Sequence, residues 1–326
     1  MAMYDDPVLL HEWHPVASLR QLSEKPILGV RLFGEDLVIW SANGKLHAWQ
    51  DLCVHRGARL SLGGIDGDGH LQCPYHGWIY NGEGRCVHIP ALADFVPGER
   101  AQVKTYAVRA AYDLIWVCPG EPQRDIPPFP EWQDGAFRKM LCGPYRVSAN
   151  GFRLIENFLD VAHFPFVHTR ILGVPSHPLI ADYEAAILPE GFVEARGVSV
   201  YQPDPYGTGQ GDTVTYTYRA YRPLSAYLLK ESNGPKFSIL LTITPHDGAD
   251  ISAWMWMAMN YGHDMPERDL IAWQDGIFNQ DKPVVESQRP QALPLDPQAE
   301  LSVRCDRSAV VYRRWLKELG VRFGVL

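Results

Sequence analysis

Two stretches decide how the first part of this chain folds: "CVHRGARL" at Cys53–Leu60 and "CPYHGW" at Cys73–Trp78. Each offers one thiol and one imidazole, Cys53 with His55 and Cys73 with His76, and seventeen residues separate His55 from Cys73. Two Cys and two His most often hold a single zinc ion. In zinc fingers, however, the pairs usually run Cys-Cys and then His-His, each pair gripping the same ion. The alternating order here lets both loops give their thiolates to one metal and their imidazoles to its neighbour. Flanking Gly57, Gly63, Gly64 and Gly77 permit close backbone approach, with amide N–H groups aimed at sulfur. Pro74 restricts the loop beneath Cys73.

That donor asymmetry suits a binuclear cluster, and it is how Rieske [2Fe–2S] centres are held. The surrounding sequence reads as a small all-β domain from about Ile27 to Val117: short apolar runs broken by Gly, Asn and Asp, with hairpin turns expected at Asn43-Gly44 and Asn81-Gly82. The Pro-rich stretch "CPGEPQRDIPPFPEWQDG" (Cys118–Gly135) cannot continue a sheet and marks the passage to a second domain. Boundaries of 1–135 and 136–326 follow. Cys86, Cys118, Cys142 and Cys305 show no pairing pattern and read as buried small hydrophobes or free thiols. His47, His70 and His88 lack motif context and read as ordinary surface or core residues.

Composition narrows the class. With 46% hydrophobic and 21% charged residues, the 326-residue chain is that of a soluble globular protein. A formal charge of −8 argues against nucleic-acid binding. It is compatible with a cationic substrate or a basic redox partner. No apolar run reaches eighteen residues, and "MAMYDDPVLLHEWHPV" lacks the pattern of a signal peptide, so a cytoplasmic protein without a membrane span is expected.

A cluster moves one electron at a time, and the remainder of the chain has room for a group that uses it. "GFRLIENFLDVAHF" reads as a helix ended by Pro165. Asn157, Asp160 and His163, three residues apart, would share a face of that helix. His168 would lie off that face on an unbroken helix, but a break at Pro165 lets the two imidazoles converge. Two His and a carboxylate with open positions form the facial triad of non-haem Fe(II) sites. Chemistry alone does not choose the carboxylate among Asp160, Asp281 and Glu286. Alternating runs at about 182–202, 212–222, 236–245 and 250–260 predict one antiparallel sheet. "PERDLIAWQDGIFNQD" predicts a helix that Pro283 stops or bends, and a last helix is expected at about Ser308–Leu319. The whole is thus α+β. "GTGQGD" at Gly207–Asp212 opens no helix and reads as a turn, so no pyridine-nucleotide or flavin fingerprint is present, nor is a plant-type ferredoxin pattern.

"CVHRGARLSLGG…LQCPYHGWIYNGEGRCVHIP" closely resembles the Rieske domain of the catalytic α-subunits of Rieske non-haem iron oxygenases. The resemblance implies a C-terminal catalytic domain of helix-grip (START/Bet v1-like) form. "ENFLDVAHFPFVH" and "FNQDKPVVESQRP" are similar to the iron-binding segments of that family. By this likeness His163, His168 and Asp281 hold mononuclear Fe(II), and O2 is the cosubstrate. Asp160 links the iron site of one subunit to the Rieske His of the next, and Asn157 stands beside the ligands. The family also implies a head-to-tail homotrimer and electrons from a separate NAD(P)H-dependent reductase or ferredoxin.

Two branches of the family compete for the substrate. "CDRSAVVYRRWLKELGV" and "HFPFVHTRILG" resemble the hydroxylases of saxitoxin-type guanidinium alkaloids, which implies monooxygenation of an sp³ C–H bond. "EWHPV", "HRGARLSLG" and "DKPVVESQRP" resemble caffeine-type N-demethylases and, less closely, aromatic O-demethylases. A non-enzyme alternative is an electron-transfer Rieske protein, which would hold the cluster and no third iron. In "AWMWMAMN", Trp254 and Trp256 would share one strand face and Met255, Met257 and Met259 the other. Core packing is the simpler role for most of them. An aromatic face could also hold a guanidinium by cation–π contact.

Overall fold

The computed structural model describes residues 6–92, 94–231 and 234–326. The chain divides into two units, Leu10–Ile126 and Pro127–Leu326, the second also containing the segment up to Leu9. The division therefore falls within the Pro-rich stretch, nine residues before the boundary drawn at 135. Asp6 explains why the first residues join the second unit. Its buried carboxylate accepts the backbone N–H groups of Arg322 (2.7 Å) and Phe323 (2.8 Å), which fastens the start of the chain to its end. No described helix is long and apolar enough to cross a membrane.

The first unit begins with β1 (His14–Ser18), α1 (Leu19–Glu24), β2 (Ile27–Leu32), β3 (Glu35–Ala42) and β4 (Lys45–Gln50). The short strands β5 (Gly64–Ile65), β6 (Leu71–Gln72), β7 (Ile79–Tyr80) and β8 (Cys86–His88) follow, then β9 (Thr105–Ala111) and β10 (Leu114–Cys118). They make a six-stranded antiparallel sheet in the order β1-β10-β9-β4-β3-β2 and a four-stranded sheet β5-β6-β7-β8. The β3–β4 hairpin turns at Asn43 and Gly44, both in the left-handed region (φ 51° and 73°), as a two-residue turn between right-twisted strands demands. The second expected hairpin is different. Asn81 and Gly82 do not form a two-residue turn: the Asn81 side chain accepts the N–H groups of Glu83 and Arg85, and Gly84 takes the positive φ of 81°. The loop is longer because the side chain supplies the closure.

In the second unit, β11 (Arg138–Val147), β12 (Glu184–Ile187), β13 (Val193–Gln202), β14 (Asp212–Arg222), β15 (Ser225–Glu231), β16 (Phe237–Pro245) and β17 (Ile251–Met259) form one antiparallel sheet, ordered β11-β17-β16-β15-β14-β13-β12. The helices are α2 (Gly151–Leu159), α3 (Phe164–Val167), α4 (Glu267–Ser287) and α5 (Arg307–Leu319). Two strands escape the alternation reading, β11 and β15. β15 is buried on both faces over most of its length, and β11 shifts register between Cys142 and Tyr145, so neither alternates cleanly. β17 is present where it is expected, although it is buried at every position. α4 runs through Pro283 to Ser287 rather than ending there. The missing amide leaves only the Asn279 carbonyl without its helical donor.

α2 is anchored by charge. The Arg153 guanidinium, buried under the helix, reaches Glu300 (2.7 Å), and Arg313 of α5 bridges Glu156 (2.5 Å) and Glu300 (2.6 Å). Hydrogen bonds from Arg153 hold the Glu300 carboxyl down at about 2 against the desolvation that opposes them, with Arg313 adding to the effect. This network fixes the helix that leads into the second candidate site.

Candidate functional site

In the first unit the cluster loops are two copies of one backbone device. The Cys53 N–H donates to Ala58 O (2.8 Å), and Cys53 O accepts from Gly57 (2.9 Å). In the second loop Cys73 N–H donates to Trp78 O (2.9 Å), and Cys73 O accepts from Gly77 (3.1 Å). Gly57 and Gly77 both need positive φ (69° and 70°) to close these turns. Gly63 is required by contact instead, since a Cβ there would lie 2.0 Å from the Gln72 carbonyl oxygen. Gly64 has open space around it, so the role expected of it is not a steric one.

Both thiols are buried, and the Cys53 sulfur lies 3.1 Å from the Tyr80 hydroxyl. Burial pushes the Cys73 thiol up, while the amides of Tyr75 and His76 hydrogen-bond to it and pull the other way. The His55 ring stacks on Trp78 at 4.5 Å and meets His76 edge-on at 4.6 Å. His55 Nδ1 is buried and has no hydrogen-bond partner. Desolvation first, then the charges of His76 and Arg56, lower the His55 pKa and favour the neutral imidazole that a metal needs.

An orphaned imidazole nitrogen beside two buried thiols fits a metal group. The spread of the donors fits two metal ions better than one. Among the described residues, no three of these four donor atoms lie mutually within 4.8 Å, a span that the donors of one tetrahedral ion would meet. Tyr80 and Trp78 were not picked out beforehand. Trp78 is visible in "CPYHGW", but nothing in the sequence marks Tyr80 as the neighbour of a cysteine 27 residues earlier.

In the second unit, α2 ends at Leu159, not at Pro165. Asp160 is extended (φ −96°, ψ 142°), and its carboxylate accepts the N–H groups of Ala162 (2.9 Å) and His163 (3.2 Å), which turns the chain into α3. Pro165 sits in the first turn of α3, where a missing amide costs nothing. Asn157, Asp160 and His163 therefore do not share one helix face. The two imidazoles converge because His163 and His168 flank the single turn of α3 as its N-cap and C-cap, and Asp160 sets where that turn begins.

His163 and His168 present Nε2 to the same carboxylate oxygen, Asp281 Oδ1, at 3.4 and 3.1 Å. Each ring is held from behind. His163 Nδ1 is 2.7 Å from Asp160 Oδ2, and His168 Nδ1 is 2.8 Å from Gln280 Oε1. With Nδ1 as donor to those acceptors, both Nε2 lone pairs face an anion. Lone pairs and a carboxylate converge favourably only with a cation or proton among them. Facial ligands each about 2.1 Å from an ion are about 3 Å apart, which matches the observed spacing.

Burial lowers the pKa of His168, but Asp281 and Gln280 outweigh it and hold the ring above its ordinary value. Asp160 lies below its ordinary value: burial raises it, and the hydrogen bonds and charge of His163 more than offset that. Asn157 Nδ2 is 3.5 Å from Asp281 Oδ1. Glu286 is engaged elsewhere, accepting the Ser148 amide at 2.8 Å. Of the three carboxylates that chemistry left open, Asp281 faces both Nε2 atoms, Asp160 stands behind His163 and Glu286 lies outside the group. Gln280 went unnoticed in the sequence, where only its adjacency to Asp281 hints at a role.

The triad opens onto a cavity of about 450 Å³. Met255, Met257 and Met259 of β17 and Trp273 and Ile277 of α4 supply much of its apolar wall. Trp254 and Trp256 face the other way: the Trp254 indole donates to Thr244 Oγ1 (2.8 Å), and Trp256 packs edge-on against Trp132. The strand face that lines the site is thus the methionine face, which removes the cation–π role considered for the tryptophans.

Residues 12–107 match the model of the Rieske [2Fe-2S] domain, and residues 147–322 match that of the vanillate O-demethylase oxygenase C-terminal domain. The second match alone spans more than half of the chain. The chain belongs to the Rieske non-haem iron oxygenases. It is 32% identical to methylxanthine N1-demethylase NdmA of Pseudomonas putida, over 95% of this chain and 89% of NdmA. The structure of NdmA with caffeine superimposes with a TM-score of 0.83 over 95% of this chain and 90% of that one. Methylxanthine N3-demethylase NdmB of the same organism is 31% identical over 97% of this chain and 91% of its own length. The oxygenase component of dicamba O-demethylase from Stenotrophomonas maltophilia is 28% identical over 94% and 96%.

An oxygen-incorporating oxidoreductase with a Rieske [2Fe–2S] cluster and a mononuclear iron follows from this membership, and the electron-transfer alternative falls away. The relatives also correct the substrate reading. They are named for demethylation of methylxanthines and dicamba, which favours the demethylase branch over the guanidinium-alkaloid hydroxylase placed first.

Proposed function

We propose that this oxygenase catalyses oxidative N- or O-demethylation of a compact, largely apolar substrate. The observation that carries this reading is the full-length similarity to demethylases, together with the triad His163, His168 and Asp281 at the wall of an apolar cavity. Cys53, His55, Cys73 and His76 would hold the cluster, and the triad would hold Fe(II). When bound, the iron supplies oxygen activation and the cluster supplies an electron.

The chain's own residues position and protect that chemistry. Asp160 and Gln280 fix the tautomer and orientation of the two imidazoles, leaving Nε2 free in each. The Met255–Met259 face and α4 give the substrate an apolar bed that keeps bulk water from the reacting methyl group. The overall balance is R–X–CH3 + O2 + 2 e⁻ + 2 H⁺ giving R–XH + HCHO + H2O, where X is N or O. A hydroxylated methyl on N or O is a hemiaminal or hemiacetal. It collapses by breaking the C–X bond, with the hydroxyl proton passing to X.

The electrons would come from a separate reductase or ferredoxin; the Gly-rich segment from Gly207 to Asp212 joins β13 to β14 and opens no helix. The trimer is part of the same proposal. Asp160, with its side chain 29% exposed, keeps room for a second contact beyond His163 and would receive a Rieske His from the neighbouring subunit. The test is turnover of the iron-loaded protein with an NADH-driven reductase on a panel of methylxanthines and methoxybenzoates. Formaldehyde equimolar with a demethylated product is the expected result. A product that keeps its methyl carbon and gains one oxygen would overturn the demethylase reading.

A further inference from the structure

The cavity wall formed by β14 and β15 carries a charge that the proposed reaction does not use. Lys230 lines the cavity and is only 6% exposed. A buried ammonium is costly unless paired, and it has three donors to satisfy. Lys230 donates to the Pro205 carbonyl and lies 4.7 Å from the centre of the Tyr206 ring. Among the described residues no carboxylate stands within ion-pair distance of it. The nearby Asp204 already accepts the amides of Thr208 (2.7 Å) and Gly209 (3.0 Å).

Two more donors share this wall. Tyr216 is the cross-strand partner of Lys230, and Tyr218 follows two residues later on the same face. The Tyr216 hydroxyl accepts from Gln202 Nε2 (2.9 Å), which leaves its own proton to give. The Tyr218 hydroxyl is fully buried and has no partner at all. The wall thus offers donors with unused capacity in a cavity that is otherwise mostly apolar, the Asp204 carboxylate on it being taken by the amides of its own loop.

We propose that Lys230, with the hydroxyls of Tyr216 and Tyr218, is the specificity site for a carboxylate on the substrate. The placement suits a recognition site set apart from the reacting atoms. Phe237, the partner of Lys230 on β16, packs against Trp273 of α4. Trp273 lies eight residues before Asp281, about 12 Å along the helix. A substrate carboxylate can therefore lie towards Lys230 while the methylated N or O of the same ring lies towards the triad. This inference takes the cavity to be the substrate site, as the proposed function does, but its test requires no turnover.

Isothermal titration of the iron-loaded protein without oxygen would compare 4-methoxybenzoate with its neutral isostere 4-methoxybenzamide. The wild type should bind the carboxylate at least tenfold more tightly. Lys230→Met should abolish that preference, Lys230→Arg should keep most of it, and Tyr218→Phe should weaken carboxylate binding severalfold while leaving the amide unchanged. Ligand-free Lys230→Met should melt no lower than the wild type, because a buried charge without a counter-ion has been removed. Equal affinities in the wild type, failure of both ligands to bind, a preference that survives Lys230→Met, or a lowered melting temperature would each overturn the assignment. Loss of formaldehyde formation with the binding preference intact would instead count against the demethylase reading alone.

Discussion

Gly63→Ala tests the cluster-bearing unit at a point where the structure sets the size of the effect. A Cβ on Gly63 would stand 2.0 Å from the Gln72 carbonyl oxygen and 3.0 Å from that of Leu60. Both are backbone atoms, so no rotamer change relieves the overlap. The Gly63 amide is also committed to Leu60 O at 2.9 Å, and the adjacent Gly64 pairs with Gln72 across β5 and β6. Relief therefore requires β6 to move by more than an ångström, and β6 delivers Cys73. Overpacking in a closed site costs about 1–3 kcal/mol, and with backbone as the obstacle the upper end, about 3 kcal/mol, is expected. Gly64→Ala is the internal control: it meets nothing within 4 Å, so it should stay within about 0.5 kcal/mol of wild type. Urea unfolding of the two variants, with visible cluster absorbance per chain as a second readout, measures both consequences. Gly63→Ala matching Gly64→Ala in midpoint and in cluster content would refute the close-approach argument.

Removing the acceptor behind His168 by Gln280→Leu should weaken iron binding about 10–100-fold, as loss of a ligand-orienting hydrogen bond does, and competition with a chelator measures it. Asp160→Asn should retain cluster and iron by metal analysis yet yield less product per reduced cluster in a single turnover. A merely structural aspartate would instead lose iron. The Glu300 carboxyl is held at about 2 in the folded protein, below its value of 4.5 when unfolded. Its stabilising contribution is therefore fully present above about pH 4.5 and is lost as the pH falls towards 2. Urea midpoints between pH 6 and pH 3 should fall more steeply in wild type than in Glu300→Gln.

The cluster ligands were legible because their chemistry is local: the donor order in two short loops already separates a binuclear cluster from a zinc finger. The turn into the iron site was harder to read. Pro165 looked like the helix breaker, but a proline in the first turn of a helix breaks nothing, and the real stop is the Asp160 carboxylate capping the amides that follow it. Gln280 and Tyr80 act through contacts 112 and 27 residues away in sequence, which no spacing rule reports. β11 was obscured by its register shift between Cys142 and Tyr145, and β15 by burial on both faces, a burial that β17 shares. That same burial hid which face of β17 lines the cavity, and it hid Lys230, since a lysine within "SAYLLKE" reads as an exposed strand end until the register pairs it with Tyr216.

The most direct test of the account is a single turnover. Anaerobically reduced, iron-loaded protein, freed of excess reductant, would be mixed with O2 and a methyl-¹³C-labelled substrate from the methylxanthine and methoxybenzoate panel, and labelled formaldehyde counted per chain. The account predicts formaldehyde in proportion to iron occupancy, and none from Asp281→Ala at unchanged cluster absorbance. Equal formaldehyde from Asp281→Ala, or labelled carbon found only in an intact oxygenated product, would contradict it.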